Sequence, residues 1–166
     1  SGWTGHRSAA EAIAQALVQI CLAPDPRAPG EYLLKPADLS QSDEQAVLVN
    51  PSYYHSRALR ELGEAAGQEL LLRVADHGET LLTDPAALRD WVLVTTDGLR
   101  DSPDHDARFG WDALRIPLYL AWSGRRDHPA MARAGDRFAR AIASGHVAVV
   151  TDAAGAILAE SDALGF

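Results

Sequence analysis

Lysine is almost missing from this sequence: Lys35 is the only one, and every other basic side chain is an arginine. Fifteen basic residues face 23 acidic ones, for a formal charge of −8. That balance argues against a nucleic-acid or anionic-membrane partner, since both need clustered Lys and Arg. Cysteine is equally scarce. Cys21 stands alone, which rules out an intrachain disulfide and a thiolate metal site. Its place on an apolar helical stripe predicts a small buried side chain. No run approaches the ~18 apolar residues of a membrane span. Missing too are a glycine-rich phosphate loop, a G-x-S-x-G elbow and histidines paired at metal-ligand spacing, so neither metal nor cofactor is expected. Residues 1–7 open straight into a helix pattern without a signal-peptide profile. The only methionine is Met131. A chain without an initiator is expected to be a processed protein or a piece of a longer one.

What is present is ordinary for a globular domain. Its 166 residues, 47% of them apolar, suffice for one domain with a real core. Residues 8–21 read as an amphipathic helix with Ile13, Leu17, Ile20 and Cys21 on the buried face, and Ser8 with Glu11 as a capping box. The run Pro24-Asp25-Pro26 ends it. Only short extended pieces, 32–34 and 46–49, stand out before the next helix. That helix spans 52–66, with Tyr54, Ala58, Leu59, Leu62 and Ala66 inward. A third, 68–82, packs through Leu71, Val74, Ala75, Leu81 and Leu82. Gly67 alone separates the two, which predicts a helical hairpin.

Residues 91–96 alternate like a strand and turn at Asp97-Gly98. Residues 113–122 are apolar around nearly the whole circumference, the mark of an inner helix. The last helix starts at Asp127-His128-Pro129, with Asp127 as cap and a stripe of Met131, Ala134, Phe138, Ala141 and Ile142. Residues 146–160 read as a β-hairpin turning at 152–155. The expected class is mainly α, helical hairpins side by side with short β segments near 91–96 and 146–160.

One carboxylate is a candidate for chemistry. Asp112 lies in Trp111-Asp112-Ala113-Leu114-Arg115-Ile116-Pro117. Pro117 fits a first helical turn, which puts Asp112 near the mouth of the inner helix, where free amides and the dipole favour a carboxylate. Arg115, three residues on, shares its side. Such a carboxylate beside Trp111 suits deprotonation of a water next to a stacked sugar. The same residues also describe a helix cap with a structural ion pair. The second cluster is Asn50-Pro51-Ser52-Tyr53-Tyr54, where two tyrosines at a helix start offer either a polysaccharide platform or packing. The loop Asp101-Ser102-Pro103-Asp104-His105-Asp106 lacks the glycine and distal glutamate of a calcium loop and reads as solvated.

The order of Val49-Asn50-Pro51-Ser52-Tyr53-Tyr54, Asp90-Trp91 and Trp111-Asp112-Ala113-Leu114-Arg115-Ile116-Pro117, with Tyr119 and Trp122, resembles the family 8 glycoside hydrolases over almost the entire chain. The resemblance implies part of an (α/α)6 toroid that cleaves a β-1,4-glucan or related polysaccharide by inversion, in a secreted or periplasmic setting. It implies Asp112 as general base, with Arg115, Trp111, Tyr53, Tyr54, Asn50 and Trp91 binding substrate or supporting the base. The aromatic before the aspartate is commonly Tyr in the family and is Trp111 here. The family's general acid, a glutamate in a Glu-Gly-x-x-Tyr-Gly-like segment, and the aspartate of an Asp-Ala-Asp-like segment have no counterpart. The chain is therefore expected to hold an incomplete barrel lacking N-terminal helices and, beyond Leu164-Gly165-Phe166, a last one. It is expected to be nearly inactive alone and to self-associate or pack on the missing half. The alternative is a non-catalytic helical module that binds carbohydrate or another protein.

Overall fold

A computed structural model describes residues 6–162, except for the side chains at 140–142. The chain-end readings at 1–5 and 163–166 lie outside the described residues. Within them are five α-helices: α1 (Arg7–Ala16), α2 (Ser56–Ala66), α3 (Glu69–Leu81), α4 (Arg115–Trp122) and α5 (Pro129–Ser144). The strands are β1 (Leu22–Pro24), β2 (Tyr32–Leu34), β3 (Ala46–Val49), β4 (Val92–Thr95), β5 (Gly98–Arg100), β6 (Arg108–Phe109), β7 (Val147–Asp152) and β8 (Ile157–Ser161). They form three small antiparallel sheets, ordered β1-β2, β3-β4-β5 and β6-β7-β8. None of the described helices is long and apolar enough to cross a membrane.

The α2–α3 hairpin forms as its spacing predicts. Gly67 takes a left-handed φ of 64°, and the Gln68 N–H reaches back to the Gly63 carbonyl at 2.8 Å. That closure satisfies a carbonyl the helix end would otherwise leave open. Leu71, Val74, Ala75, Leu81 and Leu82 are all buried. On α2 Ser56, Leu59 and Gly63 are buried and Leu62 and Ala66 pack partly against the core, whereas Ala58 is exposed, contrary to expectation.

The β-strand readings near 91–96 and 146–160 hold, as do the extended pieces at 32–34 and 46–49. The Pro-rich run after helix α1 is more ordered than a helix stop, because β1 and β2 pair across it. There Asp25 is buried and its carboxylate accepts from Arg27 Nη2 at 2.7 Å and contacts His77 Nε2 at 2.8 Å, tying the turn to α3. Burial alone would push that carboxyl up, but the hydrogen bonds from His77 and Arg27 win and hold it far below the usual aspartate range.

Three helix expectations need correction. On α1 and the π-helical turn Leu17–Cys21 that ends it, the packed face is Ala14, Leu17, Val18 and Cys21, so Ala14 and Val18 take the inward places expected for Ile13 and Ile20. Ile13 and Ile20 point outward, 57% and 47% exposed, and Cys21 is only partly buried. Ser8 sits inside the helix without a capping role, and Glu11 pairs with Arg7 instead. Helix α4 is not wrapped in protein: it buries Ile116 and Leu120 and leaves Leu118 and Trp122 43% and 57% exposed. At the start of α5, His128 rather than Asp127 serves as cap, its Nδ1 accepting from the Ala130 N–H. Of that helix's expected stripe, Ala134 is buried and Met131 and Phe138 are partly so. Ala141 and Ile142 lie outside the described side chains.

Candidate active site

The β3–β4 ladder sets the geometry. Val49 pairs with Val92, so Asn50, just after β3, and Asp90-Trp91, just before β4, emerge from the same end of the sheet. Asn50 is fully buried. Its side-chain oxygen accepts from the Ser52 N–H at 3.1 Å and from Ser52 Oγ at 2.7 Å, capping the 3-10 turn Pro51–Tyr53. With its oxygen so engaged, Asn50 has only its NH2 left to offer, and Nδ2 donates to Asp112 Oδ2 at 2.7 Å.

Arg115 takes the other carboxylate oxygen, donating from Nη2 to Asp112 Oδ1. Its guanidinium carbon lies 5.9 Å from the centroid of the Tyr53 ring, within cation–π range. The two oxygens of Asp112 thus face one donor each, and a carboxylate oxygen has a second acceptor site to spare. The Asp112 side chain is 29% exposed. Tyr53 and Trp111, at 40% and 55%, offer aromatic surface to solvent. The result is a braced carboxylate that water can reach, with aromatic faces on neighbouring positions.

The setting of Asp112 differs from a helix cap. Helix α4 begins at Arg115, its preceding residue Leu114 is helical, and no side chain caps it. Asp112 lies in the turn before, where the Leu114 N–H bonds the Gly110 carbonyl and the Arg115 N–H bonds the Asp112 carbonyl. The i, i+3 pairing with Arg115 holds nonetheless.

Tyr54 does not join this surface. It is 3% exposed, its hydroxyl accepts from the Leu34 N–H at 2.9 Å, and a Cβ on Gly78 would stand 2.0 Å from its ring. Burial pushes its phenol well above the usual tyrosine value. The residue after Tyr53 leaves the 3-10 turn and points into the core, so only one of the two tyrosines is available to a ligand. Trp91 is half-buried and stacks on His105 with ring centroids 4.4 Å apart. The 101–106 loop keeps Asp101, Asp104 and Asp106 exposed, as expected of a solvated acidic loop, and is anchored through Ser102 and His105. Ser102 is buried beside His105 Nδ1 at 2.9 Å, and Asp101 pairs with Arg89. Among the described residues no group of three His, Cys, Asp or Glu side chains is placed to hold a metal ion.

Sequence reasoning missed the part played by Asp90. It is 3% exposed, and its Oδ1 accepts from both the Gly110 N–H and the Ala113 N–H at 2.9 Å each. Nothing local signals this, because the partners lie 20 and 23 residues on.

Comparison with known proteins agrees with this architecture. The profile of the Glycosyl hydrolases family 8 matches residues 3–165. No protein of curated function matches the sequence. Among solved structures, an endoglucanase from Komagataeibacter sucrofermentans superposes with a TM-score of 0.78 at 20% identity, covering 96% of this chain and 50% of its own. The endo-β-1,4-glucanase CMCax from Acetobacter xylinum gives 0.77 at 22% identity, again covering 96% and 50%. A family 8 endoglucanase from Klebsiella pneumoniae gives 0.63 at 26% identity, covering 73% of this chain and 41% of its own. The chain thus spans half or less of the length of these structures. The profile match over nearly every residue makes this chain a member of glycosyl hydrolase family 8.

Proposed function

We propose that this chain forms the general-base side of a cleft that hydrolyses a β-1,4-glucan with inversion, and that Asp112 is the base. The observation that carries the reading is the bracing of Asp112 by Asn50 and Arg115 on a water-accessible surface beside Tyr53 and Trp111. In inverting hydrolysis a carboxylate takes a proton from water, and that water attacks the anomeric carbon from the face opposite the leaving oxygen. A second carboxyl group, ~6.5–9.5 Å from the first, protonates the leaving oxygen. Asn50 and Arg115 fix where the Asp112 lone pairs point, which is what orients the attacking water. Tyr53 and Trp111 supply ring faces on which glucose units stack.

The chemistry is half supplied. Asp90, a second carboxylate near the Asp112 turn, is buried and committed to backbone amides, so it does not serve as the acid. On this reading the acid is supplied by the rest of an (α/α)6 toroid, since the chain spans half or less of the length of the endoglucanase structures it matches. The exposed Ile13, Ile20, Leu118 and Trp122 support the same view, being the surface against which neighbouring helices of an (α/α)6 toroid, or a second copy, would pack.

Titration with cellohexaose while following tryptophan fluorescence tests the reading. A saturable response that Trp111→Ala removes is expected. No response from the folded wild-type chain overturns it. A response that Asp112→Asn leaves unchanged, with turnover absent from every longer form of the protein, would favour a non-catalytic carbohydrate-binding module.

A further inference from the structure

We propose that Asp90 is the positioning residue of the Asp112 turn: one carboxylate oxygen holds the backbone on both sides of the base. This inference rests on the reading of Asp112 as that base.

Asp112 sits between two residues whose backbone positions are set by a single atom. Asp90 Oδ1 accepts from Gly110, two residues before Asp112, and from Ala113, one residue after, at 2.9 Å in each case. Gly110 and Ala113 are both buried, so neither amide has water as a substitute acceptor. The second oxygen, Oδ2, is 3.3 Å from Arg108 Nε, and the Asp90 N–H donates to the Arg108 carbonyl at 2.9 Å. Asp90 thus grips the strand leading into the turn as well as the turn itself.

Gly110 completes the contact by having no side chain. A Cβ there would stand 2.4 Å from Asp90 Oδ2 and 3.2 Å from its Cγ. The carboxyl group of Asp90 occupies the space a side chain at 110 would need. The φ of Gly110 is not positive, so close approach rather than backbone strain requires glycine here.

The β3–β4 ladder makes this a coordinated device. Asn50 and Asp90 leave the same end of the sheet, one gripping the carboxylate of Asp112 and the other its backbone. A rigid pair of strands then fixes both the side chain and the main chain of the base, although Asp112 itself lies in a short turn.

Hydrogen exchange of the Asn50 side-chain amide, followed by NMR in the 166-residue chain, reads this directly. In the wild type the Asn50 amide is fully buried and donates to Asp112, so slow exchange is expected. Asp90→Ala is expected to accelerate them by about tenfold or more relative to the core amides of Val47 and Val94. Asp90→Asn keeps a carbonyl oxygen for the two amides and is expected to restore slow exchange. Gly110→Ala leaves Asp90 in place but displaces its carboxyl, and should reproduce Asp90→Ala. If Asp90→Ala does not fold, the Gly110→Ala and Asp90→Asn pair still decides the matter. Equal acceleration at Asn50, Val47 and Val94 would mean a purely structural role and overturn the proposal. Unchanged exchange at Asn50 in Gly110→Ala, or an Asp90→Asn variant as damaged as Asp90→Ala, would overturn it too. Failure of the wild type to bind cellohexaose would remove the glucan reading and leave this measurement intact.

Discussion

Asn50 donates a hydrogen bond to the Asp112 carboxylate at 2.7 Å across 62 residues of sequence, and this bond joins a β-strand end to the turn that opens α4. It ties the candidate base to a separate strand, where Arg115 braces it from the same segment.

Replacing Asn50 with alanine removes that donor and the cap of the 3-10 turn together. Loss of stability of about 1–3 kcal/mol is expected from the two roles. Urea denaturation at neutral pH measures it. A loss of only a few tenths would mean that the buried amide bond adds nothing to the fold.

Carboxymethylcellulose and cello-oligosaccharides should not be hydrolysed by this chain alone, because the proposed reading supplies one of the two carboxyl groups that inverting hydrolysis needs. A reducing-sugar assay at high protein concentration is the check. Robust turnover abolished by Asp112→Asn would show that an acid is supplied locally, with the 101–106 loop the first place to look.

Tyr54→Phe separates core from cleft. The Leu34 N–H would lose its acceptor in a buried site, destabilising the chain by about 1–3 kcal/mol. Cellohexaose affinity should stay within experimental error. A stable Tyr54→Phe variant with weakened binding would return this tyrosine to the sugar surface.

Asp25 predicts how stability responds to acid. Its carboxyl is held far below the ordinary aspartate value near 4, burial being outweighed by the bonds from His77 and Arg27. A depressed folded-state value means the contribution is complete above about pH 4 and is lost as the pH falls from there through the folded value. The stability gap between wild type and Asp25→Asn should therefore be wide at neutral pH and shrink on acidification toward pH 3. A gap that stays constant over that range would contradict the assignment.

Ile13, Ile20, Leu118 and Trp122 leave large apolar side chains on α1, its π-helical extension and α4 open to solvent. Sedimentation velocity at tens of micromolar should show association, and Trp122→Glu should reduce it. Dispersed monomers would mean that the isolated fold tolerates this surface uncovered.

Local chemistry already told part of this story. Gly67 and the apolar spacing on either side were enough for the α2–α3 hairpin, since a left-handed glycine between two amphipathic runs leaves few other shapes. The i, i+3 spacing of Asp112 and Arg115 was enough for their ion pair, and the ordered blocks around Asn50, Asp90 and Asp112 were enough for the family. Periodicity says that a face is apolar but not which residue of it meets a neighbour. Two overlapping stripes on α1 fit the same helical spacing, and packing chose Ala14 and Val18 over Ile13 and Ile20. The bonds from Asn50 and Asp90 to the Asp112 turn belong to the tertiary structure alone. They exist because β3 and β4 pair in one register, and register is a property of two distant segments that neither carries by itself.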